Sequence, residues 1–153
     1  MEKILVSACL MGELVRYDGG HQKLINEVIE RWRHQGRIIQ VCPEVAGGLS
    51  IPRLPAERVN GLIIDTSGKN VTDAFVKGAN QTLDICKKHG IKYALLKESS
   101  PSCGSNTIYD GSFNGTKIPG QGVTAALLQQ HGIEVFSEQT LMALIAKVES
   151  MSD

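Results

Sequence analysis

Aromatic residues are scarce: one Trp, three Tyr and three Phe make up 5% of the 153 residues. That scarcity argues against a base-stacking platform of the single-strand-binding kind. Net charge is missing too, because sixteen Lys plus Arg balance sixteen Asp plus Glu. No general field therefore draws the chain toward nucleic acid or an anionic membrane. No window approaches the roughly 18 uninterrupted apolar residues of a membrane span. The opening Met1-Glu2-Lys3 and Ile4-Leu5-Val6 lack the longer apolar region and small-residue cleavage site of a secretory leader. A cytoplasmic protein is expected, with no membrane partner and nucleic acid disfavoured. With no internal repeat, low-complexity tract or linker, a single domain over 1–153 is expected, its tail fraying from about residue 149. Cysteine is sparse, four residues with no C-x-x-C pair. In a reducing compartment such residues are thiols, metal ligands or nucleophiles rather than disulfides.

What is present suits a packed globular domain: 42% hydrophobic and 21% charged residues. Short β-branched runs alternate with segments of helical period, which predicts an α/β fold: an open, mainly parallel sheet flanked by helices, with long functional loops at the strand carboxyl ends. Core strands are expected at Lys3–Ser7, Arg37–Val41, Lys92–Leu96 and Ile133–Phe136. Helices are expected over His21–His34, from Val71 or Thr72 to about Lys88, over Val123–His131, and from Ser137 to about Val148. Gly61–Asp65 and Lys69–Val71 read as a hairpin. Cys42–Asn60 and Lys97–Gly122 read as long irregular stretches, and ordered stretches of that length are usually functional.

Cys9, Cys42 and Cys103 each follow an expected strand. Because an open parallel sheet presents all its strand carboxyl ends along one edge, three thiols distant in sequence are delivered to one place. Thiolates favour zinc or iron-sulfur clusters over hard cations, and three ligands rather than four leave an open position for chemistry. Cys86 differs. It falls on the apolar face of a helix with Ala79 and Leu83 and reads as a small buried hydrophobe.

Seven segments then carry a family resemblance: Val6-Ser-Ala-Cys-Leu10, Val15-Arg-Tyr-Asp-Gly19, Cys42-Pro-Glu-Val-Ala-Gly-Gly48, Pro52-Arg53, Lys97-Glu-Ser-Ser-Pro-Ser-Cys-Gly104, Ile108-Tyr-Asp-Gly-Ser-Phe113 and Gly120-Gln-Gly-Val-Thr124. Together, and in order along nearly the whole chain, they resemble a bacterial family long catalogued as a domain of unknown function, whose understood members are thiouracil desulfidases. The resemblance implies a [4Fe-4S] cluster with three Cys ligands and one open iron, the ligands falling at Cys9, Cys42 and Cys103. It also implies catalytic residues at Glu44 and Ser100. The implied reaction removes sulfur from a thiolated pyrimidine, giving the oxo base and hydrogen sulfide without net redox change. The partner would be a small thiolated base or nucleotide.

On its residue type alone, Glu44 could be a general base, a general acid or a loop-stabilising carboxylate. Ser100 could place a water, relay its proton or close the turn before Pro101. Arg16, Tyr17, Asp18, Arg53 and Lys97 are candidates for binding the polar edge or phosphate of a substrate, and Arg16 and Lys97 for offsetting cluster charge. Surface ion pairing is the alternative for Arg16, Asp18 and Arg53. Gly120–Thr124 resembles an anion-binding helix start without either phosphate-loop spacing. His21, His34, His89 and His131 read as caps or solvated residues, Asp73 and Asp110 as structural. Two rival readings stand beside the desulfidase: a non-catalytic zinc or cluster-binding sensor, and sulfur transfer to or from another thiolated small molecule. Oligomeric form is left open.

Overall fold

The structure, a computed structural model, describes residues 2–13, 16–20, 23–98 and 100–150. Strands β1 (Ile4–Ser7), β2 (Ile38–Val41), β5 (Tyr93–Leu96) and β8 (Glu134–Ser137) form a parallel sheet in the order β2-β1-β5-β8. This is the expected α/β architecture. β1 and β5 are buried along their whole length, as strands covered on both faces must be. Residues of β1 alternate between two cores. Ile4 and Val6 join Ile29, Trp32, Leu144 and Val148, from helices α1 (Glu27–His34) and α5 (Leu141–Ser150). Leu5 joins Leu83, Cys86, Ala125 and Leu128, from α3 (Thr72–His89) and α4 (Val123–Gln130). Each such aliphatic side chain taken wholly from water contributes roughly 1.5–3 kcal/mol.

Local chemistry moves several boundaries. The first helix begins at Glu27 because Asn26 caps it, its side chain accepting from the Val28 and Ile29 amides at 2.8 and 3.2 Å; His21 lies outside the described residues. The stretch 42–60 is partly regular, holding the short helix α2 (Pro43–Ala46) and strand β3 (Ala56–Val59). β3 pairs antiparallel with β4 (Leu62–Asp65), displacing the expected hairpin. Its turn is Asn60-Gly61, both at positive φ (50° and 81°), the conformation a two-residue hairpin turn requires. Lys69–Val71 contributes only a bridge between Asn70 and Ile64. A second hairpin, β6 (Thr107–Tyr109) with β7 (Lys117–Pro119), stands within the other long stretch. At the carboxyl end a 3-10 turn over Glu138–Thr140 precedes α5. That helix runs on through Glu149 and Ser150, and Glu149 pairs with Arg31. No helix among the described residues is long and apolar enough to cross a membrane.

Two backbone approaches fix the elements around the strand ends. A Cβ on Gly78 of α3 would stand 1.8 Å from the Pro43 carbonyl oxygen, and one on Gly47 2.0 Å from that of Ala74. Only hydrogen at these positions lets α2 sit on α3. Likewise a Cβ on Gly122 would meet the Ser102 carbonyl carbon at 2.4 Å, so α4 begins in contact with the loop that carries Cys103.

Candidate active site

β1 leads into a 3-10 turn over Ala8–Met11 that carries Cys9, β2 stops one residue before Cys42, and β5 feeds the loop that carries Cys103. All three thiols, together with Glu44 and Ser100, line one cavity of about 300 Å³. The expected convergence at adjacent carboxyl ends is therefore present. No cysteine is in a disulfide. Cys86 is buried in the core away from this cavity, as expected.

Burial keeps the three thiols protonated. It pushes Cys9 up to about 11, reinforced by Cys42 and opposed by Lys97 and Arg16. Cys42 is raised by burial while the Val45 amide at the start of α2 favours its thiolate. Burial raises Cys103 the most, Glu44 adds to the rise, and a hydrogen bond from Ser7 opposes it. Neutral sulfurs gathered in one pocket are what a cationic metal group would convert to thiolates. The donors are soft and all sulfur, which suits zinc or an iron-sulfur cluster rather than a hard cation. Among the described residues no three His, Cys, Asp or Glu side chains are gathered tightly enough to ligate one metal ion.

Glu44 faces the cavity from α2. Burial raises its carboxyl pKa, and the Arg53 guanidinium, 3.4 Å away, pulls against that rise. Arg53 is itself nearly enclosed, at 8% side-chain exposure, and also donates to the Ser50 carbonyl. It thus addresses Glu44 and its own loop. Ser100 accepts from the Ser102 and Cys103 amides, each at 3.0 Å. With both lone pairs so engaged, its hydroxyl has only its proton to offer the cavity.

Of the remaining candidates, Arg16, Tyr17 and Lys97 line the cavity and Asp18 does not. Asp18 accepts from the Gly20 amide and pairs with Arg16 at 3.5 Å. Lys97 is held by Glu138 at 2.7 Å. The helix start at Gly120–Thr124 is occupied by protein: the amides of Gly122, Val123 and Thr124 donate to the carbonyls of Gly104, Pro101 and Ser102. Those amides clamp the Cys103 loop instead of facing an anion. A family model described as 2-thiouracil desulfurase matches residues 4–140.

The chain belongs to the 2-thiouracil desulfurase family.

Its likeness to other chains extends over nearly its full length. It is 44% identical over 148 residues to the uncharacterized protein YbbK of Bacillus subtilis (strain 168), covering 90% of this chain and 97% of that one. A solved structure described as a [4Fe-4S]-dependent thiouracil desulfidase, TudS, superposes with a TM-score of 0.96 at 48% identity, covering 99% of this chain and all of the other. Sequence reasoning missed several residues around the cavity of this desulfurase-family chain. Glu98, 2% exposed, accepts from the Ser105, Asn106 and Thr107 amides and the Ser105 hydroxyl, and so shapes the loop that follows Cys103. Glu57 accepts from the Gly111 and Phe113 amides, fastening the β6–β7 hairpin to β3. Tyr109 and Lys117, paired across that hairpin, present a ring and an ammonium 5.6 Å apart at the cavity. Glu98 and Tyr109 stand inside the quoted segments, and only their tertiary partners give them a role.

Proposed function

We propose that the chain is a [4Fe-4S]-dependent desulfidase that converts a thiolated pyrimidine, as the free base or a nucleotide, and water to the oxo base and hydrogen sulfide. The observation that carries this is the placement of three thiols from three adjacent parallel strand ends in one cavity with Glu44 and Ser100. Cys9, Cys42 and Cys103 would hold the cluster, one iron remaining without a protein ligand. When bound, such a cluster supplies a thiophilic Lewis acid for a sulfur that otherwise leaves badly.

The chain's own residues perform the positioning and the proton transfers. Glu44, raised by burial, holds a proton more readily than an ordinary carboxyl and can give it to a ring nitrogen or take one from water. Arg53 keeps that carboxyl aimed and limits how far it neutralises. Ser100, restricted to donating, holds the oxygen or sulfur of the reacting group in line. Tyr109, Lys117, Arg16 and Tyr17 form the wall that would receive the pyrimidine and any anionic extension, while Lys97 offsets thiolate charge near Cys9. Asp18 serves this wall by orienting Arg16.

The test is anaerobic reconstitution, iron and sulfide counts per chain, and assay of sulfide release from 2-thiouracil and 4-thiouracil. About four irons and sulfides with release from either base is expected. A loaded chain that releases no sulfide from any thiolated base would sink the activity. Glu44→Gln should keep the iron and lose turnover by about 10²-fold or more.

A further inference from the structure

We propose that Ser7 is a positioning residue for the metal-binding thiols: its hydroxyl is held by the Lys97 amide so that its proton goes to the sulfur of Cys103. This rests on the cluster reading above and adds to it a residue that sets the electron density at one ligand. Ser7 is the last residue of β1 and is 2% exposed. A polar side chain buried there needs partners, and it has two.

The main-chain pairing of β1 with β5 runs from Ile4 opposite Tyr93 to Val6 opposite Leu95. One step beyond, the Lys97 N–H donates to Ser7 Oγ at 3.0 Å. The side chain thus takes over where the ladder ends. A hydroxyl has one proton and two lone pairs; with the amide on a lone pair, the proton points to Cys103 Sγ at 3.7 Å. The result is a fixed relay from the β5 end through β1 to the third thiol. A neutral thiol is a feeble acceptor, whereas a thiolate bound to metal carries charge and strengthens the bond. Hydrogen bonds to ligating sulfurs are one of the levers that set cluster potential. Removing this donor leaves more electron density on the Cys103 sulfur and makes the cluster harder to reduce.

Wild type, Ser7→Ala and Ser7→Thr are reconstituted anaerobically, iron and sulfide are counted, and the cluster potential is titrated. The expected result is a full count in all three, a more negative potential for Ser7→Ala, and a return toward the wild-type value for Ser7→Thr. A loaded Ser7→Ala with the wild-type potential overturns the inference while leaving the cluster reading intact; a wild type with no iron overturns both. If Ser7→Ala folds but loses the cluster while Ser7→Thr keeps it, the positioning role stands in a stronger form, and loss from both overturns the hydroxyl's part. Should Ser7→Ala not fold, the wild-type iron–thiolate Raman bands in H2O and D2O decide: a shift supports a bonded hydroxyl proton, and identical bands overturn it.

Discussion

Ser100 commits both lone pairs to the turn that presents Cys103, and this separates two roles that its residue type leaves merged. Closing the turn uses the oxygen; the proposed action on substrate would use the proton. Ser100→Ala removes both, costing about 1 kcal/mol for the lost capping oxygen and about 10²-fold in kcat for the lost donor. Thermal melting and iron counts measure the first, steady-state sulfide release the second. Ser100→Thr should restore most of both. The cysteines divide in the same manner. Cys9→Ser should abolish iron binding and activity together, whereas Cys86→Ala, in the core away from the cavity, should cost about 1 kcal/mol and leave iron stoichiometry unchanged. Iron loss in Cys86→Ala would refute the ligand set. Residues of this kind are legible in the sequence because their chemistry is in the side chain itself. Ser7, Glu57 and Glu98 are not, because what they do depends on backbone amides tens of residues away or on a loop folded back upon them.

Among the elements, the crossing of α2 and α3 decides where Cys42 and Glu44 stand. Gly47 and Gly78 let the two helices touch through their backbones, so a methyl group at position 78 must push α2 away. Gly78→Ala should destabilise by about 1–3 kcal/mol, the usual cost of overpacking, and lower iron occupancy because the ligand moves with its helix. Denaturant melts and iron counts on the same sample check both. A Gly78→Ala variant with full iron and unchanged stability would show that α2 is not fixed by this contact. The long strands and helices are readable from periodicity, since burial on one face imposes it. The β3–β4 hairpin escapes that reading even though Asn60-Gly61 is a strong local signal. The Pro-rich and Gly-rich composition around it makes the segment read as loop, and composition averages over a turn only two residues long. The start of α4 teaches a related lesson: a glycine-rich opening marks close approach of some group, and here that group is the chain's own Cys103 loop.

For the molecule as a whole, the parallel sheet supplies the rigidity and the loops the reactivity. Two cores grip the sheet from opposite faces, while burial favours the protonated form of the three thiols. A group that binds only the folded chain stabilises it by mass action. Anaerobic loading should therefore raise Tm by several degrees, at about 2–4 °C per kcal/mol for a domain of this size, and exposure to air should return it to the unloaded value. A differential scanning measurement before and after oxygen would check this; a Tm indifferent to iron would contradict a site built from three strands. How the sheet brings those strands together is the most legible property of all, since it follows from the alternation of elements alone.

The strand order has one more consequence. β1 lies between β2 and β5, so during synthesis the first neighbour arrives early and the second only after more than half the chain has left the ribosome. A half-made protein can bring together Cys9 and Cys42 but has no third claw. On the proposed ligand set, loading of the cluster would follow translation of β5 and its loop, because Cys103 is the last of the three thiols to be made.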